Sequence, residues 1–207
     1  MRILGGSPSV AARDAEINGQ PPRIGPLADD ELSEEAKAYC RELRATFGLA
    51  EDGVMPEVIA TMLRHPGLYE AQMGITIQIA AKGAISGRER ELAVLRIAWR
   101  LGAPYEWGEH VDIGQRFGVT SEDIARVIEG PDAPGWSRHD AALLRSVDEL
   151  LDSTLISDAT WATLAETWND QQLIELPVLV GIYSGIAMQQ NSLRVRLERG
   201  NPGLSRR

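Results

Sequence analysis

The strongest constraint on the fold is the segment 86–118, which has two consecutive helix signatures separated by one short turn. Ser86 and Glu89 match the S-x-x-E capping box, in which the two side chains satisfy free N–H groups of the first helical turn. The run RELAVLRIAWRLG follows, with apolar residues on most sides, which indicates a buried central helix. Gly102 ends this helix. Pro104 begins the next one, because proline is tolerated in a first turn.

The remainder of the chain repeats this pattern of helical segments between glycine and proline breakers. No useful length of sequence alternates polar and apolar residues with the period of two that a strand requires. The fold class predicted is therefore all-α, a helical bundle in which 88–101 and 104–117 form an antiparallel hairpin. Short connections favour antiparallel neighbours. An arrangement of two degenerate helical halves is compatible with this order of elements.

Glycine and proline residues, which interrupt helices, also divide the chain into an arm, a domain and a tail. Residues 1–30 contain many glycines and prolines and predict an extended N-terminal arm. Residues 31–198 form the predicted helical domain, and residues 199–207 are predicted to be a flexible tail. At 207 residues the chain is long enough to bury a substantial core.

The composition of the chain argues against nucleic acid and membranes as binding partners. A net charge of −9 argues against nucleic acid, which requires a basic face, and against an anionic membrane surface. No apolar run approaches the roughly 20 residues of a bilayer span, and the N-terminus does not resemble a signal peptide. Cys40 is the single cysteine and has no intramolecular disulfide partner. These features predict a cytoplasmic protein.

The second helix of the hairpin contains a carboxylate and an imidazole four residues apart, Glu106 and His110. That spacing places two side chains one above the other on a helix, here on a largely apolar stripe. Such a pair suits general acid–base catalysis, because a carboxylate fixes the imidazole tautomer while the imidazole moves the proton. A satisfied hydrogen bond without catalytic function is the alternative interpretation.

Glu91 is the third candidate of this group. Glu89 already serves the capping box, and Glu91 falls on the apolar stripe of Leu95, where an unpartnered carboxylate is costly. The turn at Gly102 folds the two helices together, so we expect Glu91 to approach His110. A divalent metal held by these side chains is an alternative, although the favoured site has neither metal nor cofactor.

Three further residues are candidates for substrate binding. Tyr105 and Trp107 flank the Glu106–His110 pair and would line a pocket, with packing as the alternative for both aromatic rings. Arg96 is embedded in apolar sequence. It is therefore expected either to pair with a buried acid or to reach a substrate carboxylate.

At this point the sequence resembles a known family. The segment RERELAVLRIAWRLGAPYEWGEHVDIGQRFGVTSEDI is similar to the core of carboxymuconolactone decarboxylase-like proteins, relatives of the AhpD alkylhydroperoxidases. The segments LRHPGLYEA and QLIELPVLVGIYSGIAMQQNSL are also similar to longer members, so the resemblance covers about residues 20–198. It implies an AhpD-like helical bundle that forms a homo-oligomer, a trimer or hexamer.

The peroxidase motif of that family is a glutamate followed by C-x-x-C, with three residues before a histidine. By resemblance, the glutamate corresponds to Glu91 and the histidine to His110. Ala103 and Glu106 stand at the two cysteine positions, and Tyr105 stands at that of an additional histidine. The pattern E-W-x-x-H thus replaces the redox motif, and no thiolate remains to attack a peroxide.

The decarboxylase branch uses neither thiol nor cofactor, and its chemistry is consistent with these residues. The resemblance therefore implies a lyase or isomerase acting on a small cyclic or carboxylated metabolite, with His110 as the proton carrier and Glu106 as its orienting partner. A peroxidase-like antioxidant protein is one alternative, and a non-catalytic ligand-binding scaffold is another. The lyase is favoured over the peroxidase.

Overall fold

The computed structural model describes residues 9–28, 30–47 and 56–207. Within these ranges the regular structure is helical and no strand occurs, which confirms the predicted all-α class. The helices are α1 Val10–Ile17, α2 Glu34–Phe47, α3 Glu57–Met62, α4 Pro66–Lys82, α5 Gly87–Leu101, α6 Pro104–Arg116, α7 Ser121–Glu129, α8 Arg138–Ser153, α9 Asp158–Ala165 and α10 Asp170–Leu193, followed by a 3-10 turn, Gly203–Ser205.

Helix α5 is the centre of the bundle. Ser86 and Glu89 form the expected capping box at its start. Gly102 ends it in the left-handed region, at φ 54°, where a residue without a Cβ is favoured. Residues 92–95 are fully buried, and α6, α7, α8 and α10 pack around this helix. Helix α5 therefore positions any side chain that the neighbouring helices bring against it.

A smaller apolar cluster lies beside this core. It joins α2, α3 and α4 and includes Cys40, Leu43, Met62 and Tyr69. Tyr105 at the beginning of α6 belongs to this second cluster rather than to the main core. The two clusters thus meet along α6, with different faces of that helix turned toward each.

Both chain ends differ from the sequence prediction within the described residues. The predicted extended arm contains α1, because Ser9 caps residues 10–17 and the helical stretch contains no glycine or proline. Ile17 in this helix is buried. The predicted flexible tail also packs: Leu204 is fully buried, and the Trp107 indole donates a hydrogen bond to the Arg206 carbonyl at 3.1 Å. Residues 1–8 of the arm lie outside the described ranges.

Helix α10 is the longest described helix, at 24 residues. By length and composition alone it is apolar enough to cross a membrane, contrary to the sequence expectation, with 39% of the relevant window buried. Core helices of soluble proteins have the same composition when they are apolar all round. Its buried stripe includes Leu176, Tyr183 and Gln190, whereas Ile174 and Met188 are exposed on another face.

Candidate active site

The α5–α6 hairpin forms the framework of the candidate site, as the sequence predicted. Gly102 reverses the chain, and α6 returns against α5 in close contact along its length. Glu91 of α5 and His110 of α6 are nineteen residues apart in sequence and in direct contact across this hairpin. The turn therefore brings a carboxylate and an imidazole together without any contribution from a distant loop.

The His110 ring lies between two carboxyl groups. Its Nδ1 is 2.6 Å from Glu91 Oε2, and its Nε2 is 3.2 Å from Glu106 Oε1, one helical turn away. Exposed fractions are low, 12% for the His110 side chain, 1% for Glu91 and 6% for Glu106. The structure thus brings together the three residues that the sequence singled out, in a largely desolvated cluster.

Two further polar residues hold the carboxyl groups in place. Arg90 Nε donates to the second oxygen of Glu91 at 2.9 Å, and its guanidinium also donates to the Ala80 carbonyl. Gln190 of α10 donates through Nε2 to Glu106 Oε2 at 2.8 Å. Each carboxyl group therefore has one oxygen for His110 and one for a fixed donor, which limits its rotation.

The electrostatic balance favours a charged imidazole. Burial lowers the pKa of His110, but Glu91 and Glu106 outweigh burial and raise that pKa from 6.5 to about 10. Burial raises the pKa of Glu91, and His110 with Arg90 reverses that effect, so the pKa of Glu91 is lowered overall. At neutral pH the cluster therefore contains an imidazolium beside an ionised Glu91.

Tyr183 of α10 forms one wall of the cluster. Its ring meets the His110 ring edge-on, with centroids 5.4 Å apart, and the tyrosine is 4% exposed. Burial, followed by Glu106 and Glu91, raises the pKa of this phenol. The hydroxyl is therefore a neutral donor, and it has no hydrogen-bond partner within residues 9–28, 30–47 and 56–207.

The three predicted substrate-binding residues take other positions. Trp107 is fully buried against Trp99, at 5.0 Å between ring centroids, and Tyr105 donates its hydroxyl to Glu198 at 3.2 Å. These contacts are with Trp99 and Glu198 rather than with His110, and side chains one residue apart on a helix point about 100° apart. Adjacency to Glu106 in sequence therefore does not place Tyr105 or Trp107 on its face.

Arg96 follows the first of its two sequence alternatives. Its Nε and Nη2 both reach the Asp148 carboxylate at 2.8 Å, and its Nη1 donates to the Val127 carbonyl at 2.7 Å. Such a bidentate pair uses the guanidinium to join α5 to α8. Arg96 is therefore engaged within the bundle and is not turned toward His110.

Sequence reasoning did not assign Tyr183 and Gln190 to the site. A signal for both was present, since residues 173, 176, 180, 183, 187 and 190 form a helical stripe in which only these two side chains have a polar group. A polar atom on a core stripe requires a buried partner. Arg90 also contacts Glu91, and the bond of its guanidinium to the Ala80 carbonyl of α4 is a contact between helices that sequence spacing does not show.

The geometry also bears on metal and thiol chemistry. Among the described residues, no group of three or more His, Cys, Asp or Glu side chains is arranged to hold a metal ion. Cys40 is 3% exposed in the smaller apolar cluster, and burial raises the pKa of its thiol. Cys40 is the single cysteine of the sequence, so its buried, protonated thiol has no second thiol to react with.

Solved structures share this fold. An uncharacterized peroxidase-related protein from Silicibacter sp. TM1040 has a TM-score of 0.71 at 15% identity, covering 88% of this chain and 96% of that chain. The AhpD core of a peroxidase-related protein from Ralstonia eutropha JMP134 has a TM-score of 0.71 at 15% identity, over 86% and 94%. The debrominase Bmp8 in complex with 2,3,4-tribromopyrrole has a TM-score of 0.68 at 17% identity, over 86% and 93%.

No functionally curated protein matches the chain. Residues 66–149 match the Carboxymuconolactone decarboxylase family, and this range contains α4 to α7, most of α8 and the whole Glu91–Glu106–His110 cluster. The match over this segment and the helical fold shared with the AhpD-like structures both support a carboxymuconolactone decarboxylase-like, AhpD-like family.

Proposed function

We propose that the protein is a cofactor-independent acid–base enzyme, a decarboxylating lyase or an isomerase, acting on a small cyclic or carboxylated metabolite. The observation that supports this proposal is the placement of His110 between Glu91 and Glu106 in a desolvated cluster with a raised imidazole pKa. Strongly perturbed titratable groups of this kind concentrate at functional sites.

In this proposal His110 is the residue that stabilises and protonates a carbanion. Cleavage of the bond to a carboxylate carbon releases CO₂ and leaves the electron pair on the substrate as an enolate or carbanion. The imidazolium stabilises this negative charge and transfers its Nε2 proton to the carbon, and solvent then reprotonates the ring. A histidine with a pKa of about 10 holds its proton until that charge develops.

The two carboxyl groups have different proposed roles. Glu91 orients the ring, because it lies 2.6 Å from Nδ1 and is itself fixed by Arg90. Glu106 contacts the other ring nitrogen, Nε2, which in this proposal faces the substrate. The second oxygen of Glu106 accepts a hydrogen bond from Gln190. We therefore assign the orienting role to Glu91 rather than to Glu106, and we propose that Glu106 relays the proton at Nε2.

Tyr183 supplies a donor for the substrate. Its hydroxyl is unpaired among the described residues, and its ring packs against His110. A neutral phenol can donate a hydrogen bond to a carboxylate or carbonyl oxygen of the substrate. This donor favours a carboxylated or carbonyl-containing metabolite over a hydrocarbon.

A thiol peroxidase is the main alternative, because solved relatives of this fold are described as peroxidase-related. Alanine and glutamate occupy the positions of the family's two cysteines, at Ala103 and Glu106. Cys40 is buried in the other cluster with a raised thiol pKa, which opposes thiolate formation. The residues present therefore favour acid–base chemistry over thiol chemistry.

The second alternative is a non-catalytic scaffold, in which the same cluster joins α5, α6 and α10. Solvent deuterium exchange distinguishes the two. We expect the wild type in D₂O to release CO₂ from one member of a panel of lactone and cyclic keto carboxylic acids and to place deuterium on the former carboxylate carbon. His110→Gln should abolish both signals, and Glu106→Gln should reduce them by roughly two orders of magnitude.

His139→Gln is the matched control. His139 Nε2 lies 2.8 Å from Glu89, so this substitution also removes an imidazole beside a carboxylate, away from the site. The control should retain full turnover. Equal loss of turnover in His110→Gln and His139→Gln, or binding of panel acids without any turnover in the wild type, would favour the scaffold.

A further inference from the structure

A cavity of about 210 Å³ lies between α1 and the C-terminal end of α10, apart from the His110 cluster. Arg13 and Glu16 of α1 line it from one side. Arg23, from the segment after α1, and Ser192 and Arg194, from the end of α10, line it from the other. Three arginines thus face one cavity in a chain whose net charge is −9.

The charge within this cavity is positive. Glu16 is the only acidic residue among those lining it, and it pairs with Arg13 at 2.7 Å. The two remaining guanidinium groups have no carboxylate partner among the described residues. An anion in this cavity would therefore meet guanidinium groups whose charge no carboxylate of the described residues balances.

Helix capping accounts for two of the three arginines. Arg13 donates to the Gly102 carbonyl at 3.0 Å, at the end of α5, and Arg23 donates to the Ser192 carbonyl at 3.1 Å, near the end of α10. Cations at these positions also complement the helix dipoles. Each helix end therefore already has one arginine, and Arg194 is an additional cation.

Arg194 is unusual in its backbone as well. It is the C-cap of α10, at φ 54°, in the left-handed region that favours glycine. Its guanidinium has no hydrogen bond or ion pair within the described part of the chain. A long cationic side chain at a position where glycine costs less, with its five donors unused, points to a ligand rather than to a structural contact.

We propose that this cavity binds a small anion through a phosphate or carboxylate group held by Arg194 and Arg23. The planar guanidinium matches either group in bidentate geometry. The cavity is smaller than the roughly 300–1,000 Å³ sites that hold drug-sized ligands. It therefore suits a single phosphate or a short carboxylic acid, and Arg23 still has donors beyond its bond to Ser192.

The test is calorimetric titration of the full chain with inorganic phosphate and, separately, with malonate, against sodium chloride at matched ionic strength. We expect saturable binding of at least one of the two anions, and the anion that binds identifies the group recognised. Arg194→Gln should weaken that binding by about tenfold or more, because a charge-assisted contact is lost. Arg116→Gln is the matched control, since Arg116 is exposed and does not line the cavity.

Arg194→Gly separates binding from folding. This change removes the guanidinium and also relieves the left-handed backbone, so its midpoint of thermal unfolding without anion should equal or exceed that of the wild type. Phosphate or malonate should no longer raise that midpoint. The proposal is overturned if neither anion binds more tightly than chloride, or if binding is unchanged in both Arg194 variants.

Discussion

The Nδ1 atom of His110 lies 2.6 Å from Oε2 of Glu91, and this contact joins α6 to α5 across the hairpin. The contact couples protonation to folding, because its two members have shifted pKa values of opposite sign. A histidine whose pKa is higher in the folded state than in the unfolded state stabilises the protein while it is protonated.

The first prediction is a pH-dependent contribution of His110 to stability. Its pKa rises from 6.5 to about 10 on folding, so the contribution is complete below pH 6.5 and declines as the pH rises toward 10. Glu91, with a lowered pKa, contributes above its ordinary value of 4.5 and loses that contribution in acid. The cluster therefore stabilises the fold most between pH 4.5 and pH 6.5. Each unit of difference between the folded and unfolded pKa values of His110 corresponds to about 1.4 kcal/mol, so its contribution is several kcal/mol.

Urea unfolding at pH 5.5, 7.5 and 9.5 measures this contribution. The free energy of unfolding of His110→Gln should fall furthest below that of the wild type at pH 5.5, and the gap should narrow at pH 9.5. A gap that is constant across the three pH values would show that His110 does not change protonation on folding in this range.

The second prediction concerns Arg96, which the sequence placed among possible substrate-binding residues. Because it forms a largely buried bidentate pair with Asp148, which keeps a second partner in Arg100, Arg96→Gln should lower the free energy of unfolding by about 1–3 kcal/mol. Turnover per folded molecule should be unchanged. Arg138→Gln, which removes an exposed pair with Glu166, should cost about 1 kcal/mol or less. A raised KM in Arg96→Gln with unchanged stability would restore the substrate-binding role.

Sequence patterns predicted the hairpin and its charged cluster because both depend on local spacing. The capping box and Gly102 define α5, and the four-residue spacing of Glu106 and His110 fixes their common face. The same reasoning did not predict partners that come from distant helices, such as Gln190 for Glu106. Nor did it predict where Trp107 and Tyr105 point, because a helix face is defined only once its neighbours are known.

The two chain ends are also places where local sequence did not predict contacts with distant segments. Glycine and proline counts described residues 1–30 as one extended arm, but the stretch after Ser9 has none of these breakers until Gly19 and forms α1. Residues 199–207 have no helical periodicity, yet Leu204 is buried. Local composition does not indicate whether an irregular segment finds an apolar surface to cover.

The third prediction concerns Cys40. Cys40→Ser should leave turnover unchanged and should lower stability by about 1–3 kcal/mol, because a hydroxyl replaces a buried thiol. Neither protein should consume an alkyl hydroperoxide in the presence of a dithiol reductant. Hydroperoxide reduction by the wild type that disappears in Cys40→Ser would instead support the peroxidase alternative.

The fourth prediction is a homo-oligomer, a trimer or hexamer, assembled through an apolar α4–α10 face. This face is formed by Ile75, Ile174, Val178 and Met188, with exposed fractions of 46%, 69%, 47% and 53%. A groove of about 410 Å³ between the two helices adds to it. Large exposed apolar side chains gathered on one face are typical of protein interfaces.

Light scattering at micromolar concentration measures the assembly. The wild type should give a single oligomer, and Ile174→Glu combined with Val178→Glu should shift it to a monomer by burying charge at the interface. Leu155→Glu, at an equally exposed apolar residue in the loop between α8 and α9, should not change the mass. A wild-type monomer would contradict the prediction.

The packing of the chain's last described residues on α6 sets an order in which the protein completes its folding during synthesis. Trp107 bonds to the Arg206 carbonyl, Glu109 accepts from Asn201, and Asp112 pairs with Arg206. These partners lie 92 to 99 residues downstream. At translation speeds of about 5–20 residues per second, α5 and α6 can meet several seconds before those partners leave the ribosome. On a nascent chain, the indole of Trp107 and the face of α6 that carries Glu109 and Asp112 therefore stay uncovered until residues 201–206 have been synthesised.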